Sequence, residues 1–233
     1  MESVISEVLA LPGGAARVEW RRSQRARRVS LRIDPRCGSV VVTLPQRAAR
    51  TAGMALLVSN ADWVMQRLAA LPREVRFADG ADVPLHGTPH RIRHMPNARG
   101  VAWLEESEIR VAGDPAFLPR RVADFLRAEA RRSITALVAE KAEMVRVKPG
   151  RVTLKDTSSR WGSCAANRNL AFSWRLVMAP RFVQDYVTAH EVAHLRHMNH
   201  GPQFWTLVGQ ITPHTEAAMR WLKEYGMSLL RVG

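Results

Sequence analysis

The stretch His190-Glu191-Val192-Ala193-His194 constrains this chain more than any other part of its sequence. On a helix, residues four apart lie about 40° apart around the axis, so the two imidazoles leave from one face. Apolar residues such as Val183 and Val187 precede the histidines on that face, which makes the histidines part of an inward-facing stripe. Because buried imidazoles need polar partners, this context favours a metal site over two surface histidines.

A His-Glu-x-x-His pattern on a helix is typical of zinc-dependent hydrolases, although it arises by chance in on the order of one such chain in a hundred. His190 and His194 are the predicted metal ligands. Glu191 is the predicted general base, which takes a proton from a zinc-activated water and delivers it to a leaving amine. Zinc is inferred from the type of ligand alone. The pattern therefore predicts a zinc-dependent hydrolase, with peptide bonds as the expected substrate.

A catalytic zinc needs a third protein ligand and one open coordination position. His200 is the preferred candidate, because it directly precedes Gly201-Pro202, where the helix should end and the chain should turn. His197 lies on the same predicted helix but a full turn further along it. Glu216 would come from a later helix. The pattern of residues leaves these alternatives open.

A second motif, Arg160-Trp161-Gly162-Ser163-Cys164, precedes a predicted strand over residues 170–177. We expect that strand to run past the metal as an edge strand, where a substrate can pair in extended form. Arg160 or Arg175 could then bind substrate, by stabilising an oxyanion or orienting a carboxylate. The alternative is a structural hairpin with tryptophans in the core. Cys164 is interpreted as a buried small residue, since no base partner is identifiable.

Hydrophobic periodicity indicates an α+β chain that divides near residue 113. Residues 1–113 are predicted to form a β-rich, basic N-terminal subdomain, with alternating strands around a turn at residues 34–38 and a helical stretch over residues 47–71. Residues 114–233 are predicted to be mostly helical, with a long helix over residues 115–145 and further helices that begin at residues 180, 201 and 213. No internal repeat is evident.

The formal net charge of +14 comes almost entirely from arginine. It indicates either a basic soluble surface or contact with nucleic acid through the residues between Arg21 and Arg32. No apolar run of about 18 residues occurs, so no membrane partner is expected. The N-terminus lacks the basic start and apolar core of a signal peptide, which predicts a cytoplasmic location. Cys37 and Cys164 are far apart, so no disulfide framework is expected.

Several motifs together resemble the YgjP-like zinc metallopeptidases, a family related to the SprT-like and WLM peptidases. The matching residues are Arg22 to Arg28, Gly87, Arg160 to Cys164, Trp174 to Leu176, Pro180, Asp185 to Val187, His190 to Leu195, Asn199-His200 and Phe204-Trp205. The resemblance covers nearly the whole chain. Ser173 is a departure, because asparagine is expected there in many relatives.

The resemblance implies a zincin-like metallopeptidase domain with an active-site helix and a small sheet, preceded by the β-rich N-terminal subdomain. It also implies that His190, His194 and His200 bind Zn²⁺ and that Glu191 is the catalytic base. It defines the substrate less well. Alternatives are zinc-dependent hydrolysis of a nucleotide phosphoanhydride, and a SprT-like protease that acts on proteins bound to nucleic acid.

Overall fold

The computed structural model describes residues 5–233; residues 1–4, which begin the N-terminal stretch discussed above, lie outside it. The chain forms two compact units, Met1–Arg73 and Glu74–Gly233. This division comes before the one predicted near residue 113. The reason is that the strands between Asp82 and Ala112 pack on the long helix that follows them, so they share its core rather than that of the preceding strands.

The first unit is a four-stranded sheet covered by two helices. Apolar residues alternate along the central strand β2, where Ala16, Val18 and Trp20 are buried in the same cluster as Leu57 and Val64 of the helices. This alternation is the period-2 pattern of a sheet with one buried face. The strand order is β1-β2-β4-β3, with β2 and β4 parallel. The elements are β1 (Ile5–Leu11), β2 (Gly14–Ser23), β3 (Ser30–Asp34), β4 (Ser39–Pro45), α1 (Arg50–Ser59) and α2 (Ala61–Ala69).

The second unit begins with a sheet of the same topology. Its strand order is β5-β6-β8-β7, with antiparallel outer pairs and a parallel central pair, as in the first sheet. The two sheets share a strand order but not their side chains, so the likeness is not visible as a repeat in the sequence. The strands are β5 (Asp82–Leu85), β6 (Thr88–Met95), β7 (Ala102–Glu105) and β8 (Glu108–Ala112).

The longest helix of the second unit is α3 (Leu118–Met144). Its residues at every fourth position from Leu118 to Val138 are buried in one stripe, which packs against the first sheet of the unit and against α4. The predicted helix over residues 115–145 is therefore confirmed, with a 3-10 turn (Pro115–Phe117) at its start, where the Asp114 carboxylate accepts a hydrogen bond from the Ala116 amide.

A small sheet and three helices complete the unit and carry the candidate site. The strand order is β10-β11-β9, and β10 is an edge strand. A 3-10 segment, Trp174–Met178, replaces the second half of the predicted strand over residues 170–177. The elements are β9 (Val152–Lys155), β10 (Gly162–Cys164), β11 (Leu170–Ser173), α4 (Arg181–Ala193), α5 (Pro202–Ile211) and α6 (Thr215–Leu229).

The structure confirms the predicted α+β class, with a β-rich region before the helices, as expected for a zincin-like domain. Across residues 5–233, none of the helices combines the length and apolar character needed to span a membrane.

Candidate metal centre and active site

The end of α4 brings three imidazoles together. The helix ends at Ala193, so His190 lies in its last turn and His194 is its C-terminal cap. The chain then turns through Asn199 to Gly201, where α5 begins with Pro202, and this turn returns His200 to the helix end. The Nε2 atoms of His190 and His200 are 3.1 Å apart, and one nitrogen from each of the three histidines lies within 4.8 Å of the others.

This donor set fits a divalent metal ion. Two nitrogens bound tetrahedrally at about 2.0–2.1 Å from zinc are about 3.3 Å apart, close to the separation of the His190 and His200 nitrogens. His194 Nδ1 lies 3.0 Å from the His197 carbonyl oxygen, to which it can only donate, so its Nε2 presents a lone pair. Three imidazoles whose nitrogens lie this close together could hold a metal ion.

Burial favours the neutral form of His190 and His194. The pKa of His190 falls to about 4, mainly because of burial and to a lesser extent because of His194 and His200 nearby. Burial also lowers the pKa of His194. Phe204 is fully buried and stacks on His194 with ring centroids 4.5 Å apart, which holds that ring in place. A neutral imidazole is the form that binds metal, so the apolar surroundings prepare the site for a cation.

The other two candidates for third ligand lie elsewhere. The side chain of His197 lines a different depression, together with Val145 and Leu207, and only its carbonyl oxygen faces His194. Glu216 is exposed in the first turn of α6. Within the described chain, the group of side chains that could share one ion consists of His190, His194 and His200.

The Glu191 carboxyl lies beside the histidines and is 6% exposed. Burial raises its pKa to about 7, and the positive charge of Arg160 lowers it in part. Its Cγ and Oε1 atoms pack against Gly162 so closely that a Cβ there would lie 2.5 Å from both. An open pocket of about 300 Å³ joins Glu191 and the three histidines to β10 and Met198. A carboxyl whose pKa lies near neutral pH can both accept and release a proton, which suits it to proton transfer.

The strand beside the site is β10, and the prediction that the segment 170–177 forms the edge strand was wrong. β11 lies in the middle of the small sheet, paired on one side to β9 and on the other to β10. Alternation of small residues does not distinguish a central strand from an edge strand in so short a sheet. The Gly162–Cys164 strand has one unpaired edge within its sheet, and it lines the pocket.

The two predicted substrate-binding arginines differ in their surroundings. Arg160 is exposed and lies near enough to Glu191 to affect its pKa. Arg175 is buried, donates to Asp156 at 3.2 Å and to the Val232 carbonyl, and lies over the Trp174 ring. The expectation that Arg175 binds substrate does not fit this environment, because its guanidinium is already occupied in holding the C-terminus of the chain.

Comparison with known proteins agrees with this geometry. The model of the YgjP-like metallopeptidase domain family matches residues 27–225. The chain belongs to this family. The resemblance noted from the sequence is thereby confirmed, and a YgjP-like metallopeptidase domain implies a bound metal ion and a peptidase activity in general. No curated protein and no solved structure matches the chain.

Sequence reasoning missed two residues of this YgjP-like site. Gly162 was noted only as part of a motif, although it is the residue that leaves room for Glu191. Phe204 was likewise noted only for the resemblance, although its ring contacts all three histidines at centroid distances of 4.5–5.0 Å. The sequence did contain a signal for Phe204. It follows the Gly201-Pro202 turn by less than one helical turn, which places it close to His200.

Part of the positive charge of the first unit is paired with carboxylates of the same unit. Arg21 forms an ion pair with Glu19 at 2.9 Å, and Arg32 lies 3.7 Å from Asp34. Arg22 donates to three backbone carbonyl oxygens, one in the last residue of β4 and two in the residues just after it. These contacts give several of the arginines that suggested nucleic-acid binding a structural role within the unit itself.

Proposed function

We propose that this protein is a zinc-dependent metallopeptidase in which His190, His194 and His200 hold the metal and Glu191 is the general base. The observation that carries the proposal is the convergence of three imidazole nitrogens within 4.8 Å beside a buried carboxyl. Membership of the YgjP-like family supports peptidase activity in general. Imidazole-only ligand sets favour zinc among the divalent metals available to such a site.

Bound zinc supplies Lewis acidity, which makes a water molecule at the site a competent nucleophile near neutral pH. Glu191 accepts a proton from the attacking water and returns it to the nitrogen of the leaving amine as the peptide bond breaks. The apolar surroundings that bury Glu191 raise its proton affinity, so it can carry out both transfers near neutral pH. Gly162 keeps the carboxylate close to β10, where the substrate backbone is proposed to lie.

The unpaired edge of β10 positions the substrate in this proposal. An extended peptide can add to an edge strand through main-chain hydrogen bonds, which hold its carbonyl carbon in register. The pocket beside β10 is open to solvent, so a chain can reach it. Main-chain pairing of this kind would make the enzyme tolerant of many sequences, with preference set by side-chain pockets on either face of the strand.

The test is an unbiased peptide-library digestion by metal-loaded protein, with Glu191→Gln as the decisive variant. The amide that this substitution introduces has the same shape as the carboxylate but cannot accept the proton. Cleavage should therefore fall by about 10²- to 10⁴-fold while the metal content stays unchanged. Metal analysis of both proteins gives the control. Cleavage by the variant at the wild-type rate would remove Glu191 from its role.

The same pair of proteins decides between peptide and nucleotide substrates. Nucleoside triphosphates are incubated with wild type and with Glu191→Gln, and the release of phosphate or pyrophosphate is measured. Turnover of a nucleotide that is lost in the variant, together with no cleavage of any peptide, would replace the peptidase proposal by hydrolysis of a phosphoanhydride at the same residues.

A further inference from the structure

A second, smaller pocket of about 150 Å³ lies next to the candidate site, and the mechanism does not use it. It shares Gly162 and Ser163 of β10 with the metal pocket. Lys155, Arg160 and Ser173 also line it. Its volume corresponds to about five water molecules, so it can hold one medium side chain but not a larger ligand.

The pairing of the small sheet places the two pockets on opposite faces of β10. Gly162 pairs with Phe172 and faces Glu191. The neighbouring pairs, Ser163 with Ala171 and Lys155 with Ser173, therefore face the other way. A peptide paired along the edge of β10 alternates its side chains in the same manner, so a residue next to the one facing the metal points to the second pocket.

The charged side chains that line this pocket are both positive. Lys155 and Arg160 bring two positive charges, and across residues 5–233 neither forms an ion pair with a carboxylate. Ser173 is 1% exposed, yet its Oγ has no hydrogen-bond partner among the described residues. An unsatisfied buried hydroxyl costs stability unless something else occupies it. Two cations and a donor hydroxyl around one small space form a receptor for an anion.

We propose that this pocket binds the carboxylate of an acidic side chain, so that the enzyme prefers Asp or Glu next to the scissile bond. Lys155 and Arg160 supply charge-assisted hydrogen bonds, and Ser173 donates its hydroxyl hydrogen to the carboxylate. This inference rests on the proposed function, because it is the peptide on β10 that carries the acidic side chain to the pocket. It identifies Lys155, Arg160 and Ser173 as specificity residues.

Matched peptides test the preference. Once a cleaved peptide is known, it is made with Glu or Gln at each position around the scissile bond, and kcat/KM is measured for each pair. Wild type should favour Glu over Gln by about tenfold or more at one position. Lys155→Gln and Arg160→Gln should each reduce that ratio toward one. Lys148→Gln and Arg220→Gln, exposed residues outside the pocket, should leave it unchanged.

Ser173→Ala separates ligand binding from structure. If the hydroxyl is only an unsatisfied polar group, its removal leaves the Glu:Gln ratio unchanged and stability equal or higher. If it binds the carboxylate, the ratio falls severalfold while stability is kept. Cleavage of peptides with no acidic preference in wild type would overturn the inference and leave the peptidase proposal intact.

A binding measurement keeps the inference testable if no peptide is cleaved. N-acetylglutamate, N-acetylglutamine and inorganic phosphate are titrated into the metal-loaded protein, and the indole N–H signal of Trp161, which lines the pocket, is followed by NMR. The carboxylate should shift this signal, the amide should not, and a Lys155→Gln/Arg160→Gln double variant should abolish the shift. Stronger binding of phosphate than of the carboxylate, or no shift at all, would contradict it.

Discussion

Gly162 of β10 and Glu191 of α4 are in such close contact that no other residue fits at position 162 without displacing the carboxylate. A Cβ at this position would meet the Cγ and Oε1 atoms of Glu191 at 2.5 Å. The contact also fixes the distance between the edge strand and the helix of the metal site. The glycine thus links the proposed base to the strand that is proposed to bind substrate.

Gly162→Ala is expected to lower kcat/KM by about 10- to 100-fold, because the added methyl moves the Glu191 carboxylate away from its position, and displacements of about 1 Å have effects of this size. Peptide cleavage measures this. Gly209→Ala is the control, since a Cβ there meets nothing within 4 Å. Equal activity of Gly162→Ala and wild type would show that the contact does not position the base.

His200→Ala is expected to weaken metal binding by on the order of a hundredfold or more, since it removes one of three protein ligands. His197→Ala is a matched control, because the contact of this residue with His194 is made by its carbonyl oxygen, which the substitution keeps. Metal content after dialysis against a graded chelator series measures both. Loss of metal from His197→Ala alone would instead favour His197 as the ligand.

How much of this site follows from sequence depends on the residue. The positions of His190 and His194 follow from helical spacing alone. The Gly201-Pro202 turn favours His200 as the third ligand, but the sequence leaves His197 and Glu216 open as alternatives. The edge strand does not follow from sequence, because strand order depends on which segments meet in space, and β9 to β11 are too short to show it. The unit boundary was missed for a similar reason: the strands after Asp82 belong with α3 through packing, not composition.

The ion pair between buried Lys141 and half-buried Asp185 is expected to contribute to the stability of the second unit. Their side chains are 2.6 Å apart, with Lys141 only 6% exposed, and Thr212 donates to the same carboxylate at 2.5 Å. Lys141→Met leaves the half-buried Asp185 carboxylate without its cation and should cost about 1–3 kcal/mol in urea unfolding. The Lys141→Met/Asp185→Leu double variant should cost less than the sum of the two single changes. Simple additivity would mean that the pair is not coupled.

His86 is expected to make stability depend on pH. Gln184 is held by the hydroxyl of Ser133 at 2.9 Å and the carbonyl oxygen of Ala179 at 2.7 Å, so its amide nitrogen donates to His86 Nδ1 at 3.0 Å. The pKa of His86 falls to about 4, mainly because of burial and then because of the positive charge of Arg181, while the hydrogen bond with Gln184 opposes the shift and His90 and Arg132 add smaller lowering effects. The imidazole is therefore neutral in the folded protein at pH 7.

Because the unfolded chain protonates this histidine at higher pH than the folded one, its contribution is present above about pH 6.5 and is lost as the pH falls toward 4. The loss should be on the order of 1–3 kcal/mol. His86→Asn removes the titration, keeps an acceptor for Gln184 and tolerates the positive φ of 53° at this position. Urea unfolding at several pH values should show a shallower decline for this variant, and parallel curves for both proteins would contradict the assignment.

The early end of α4 has a consequence for the lifetime of the protein. His200 reaches the other two histidines through the turn that follows α4. A bound ion would therefore link residues 195–201 to the end of the helix. Without the ion, the segment keeps hydrogen bonds such as that of His194 Nδ1 to the His197 carbonyl oxygen and that of Arg196 to the Val145 carbonyl oxygen, but His200 loses its metal-mediated link to the helix end. In a cell short of metal, the enzyme would therefore lose protection against degradation as well as activity, and metal supply would govern its abundance.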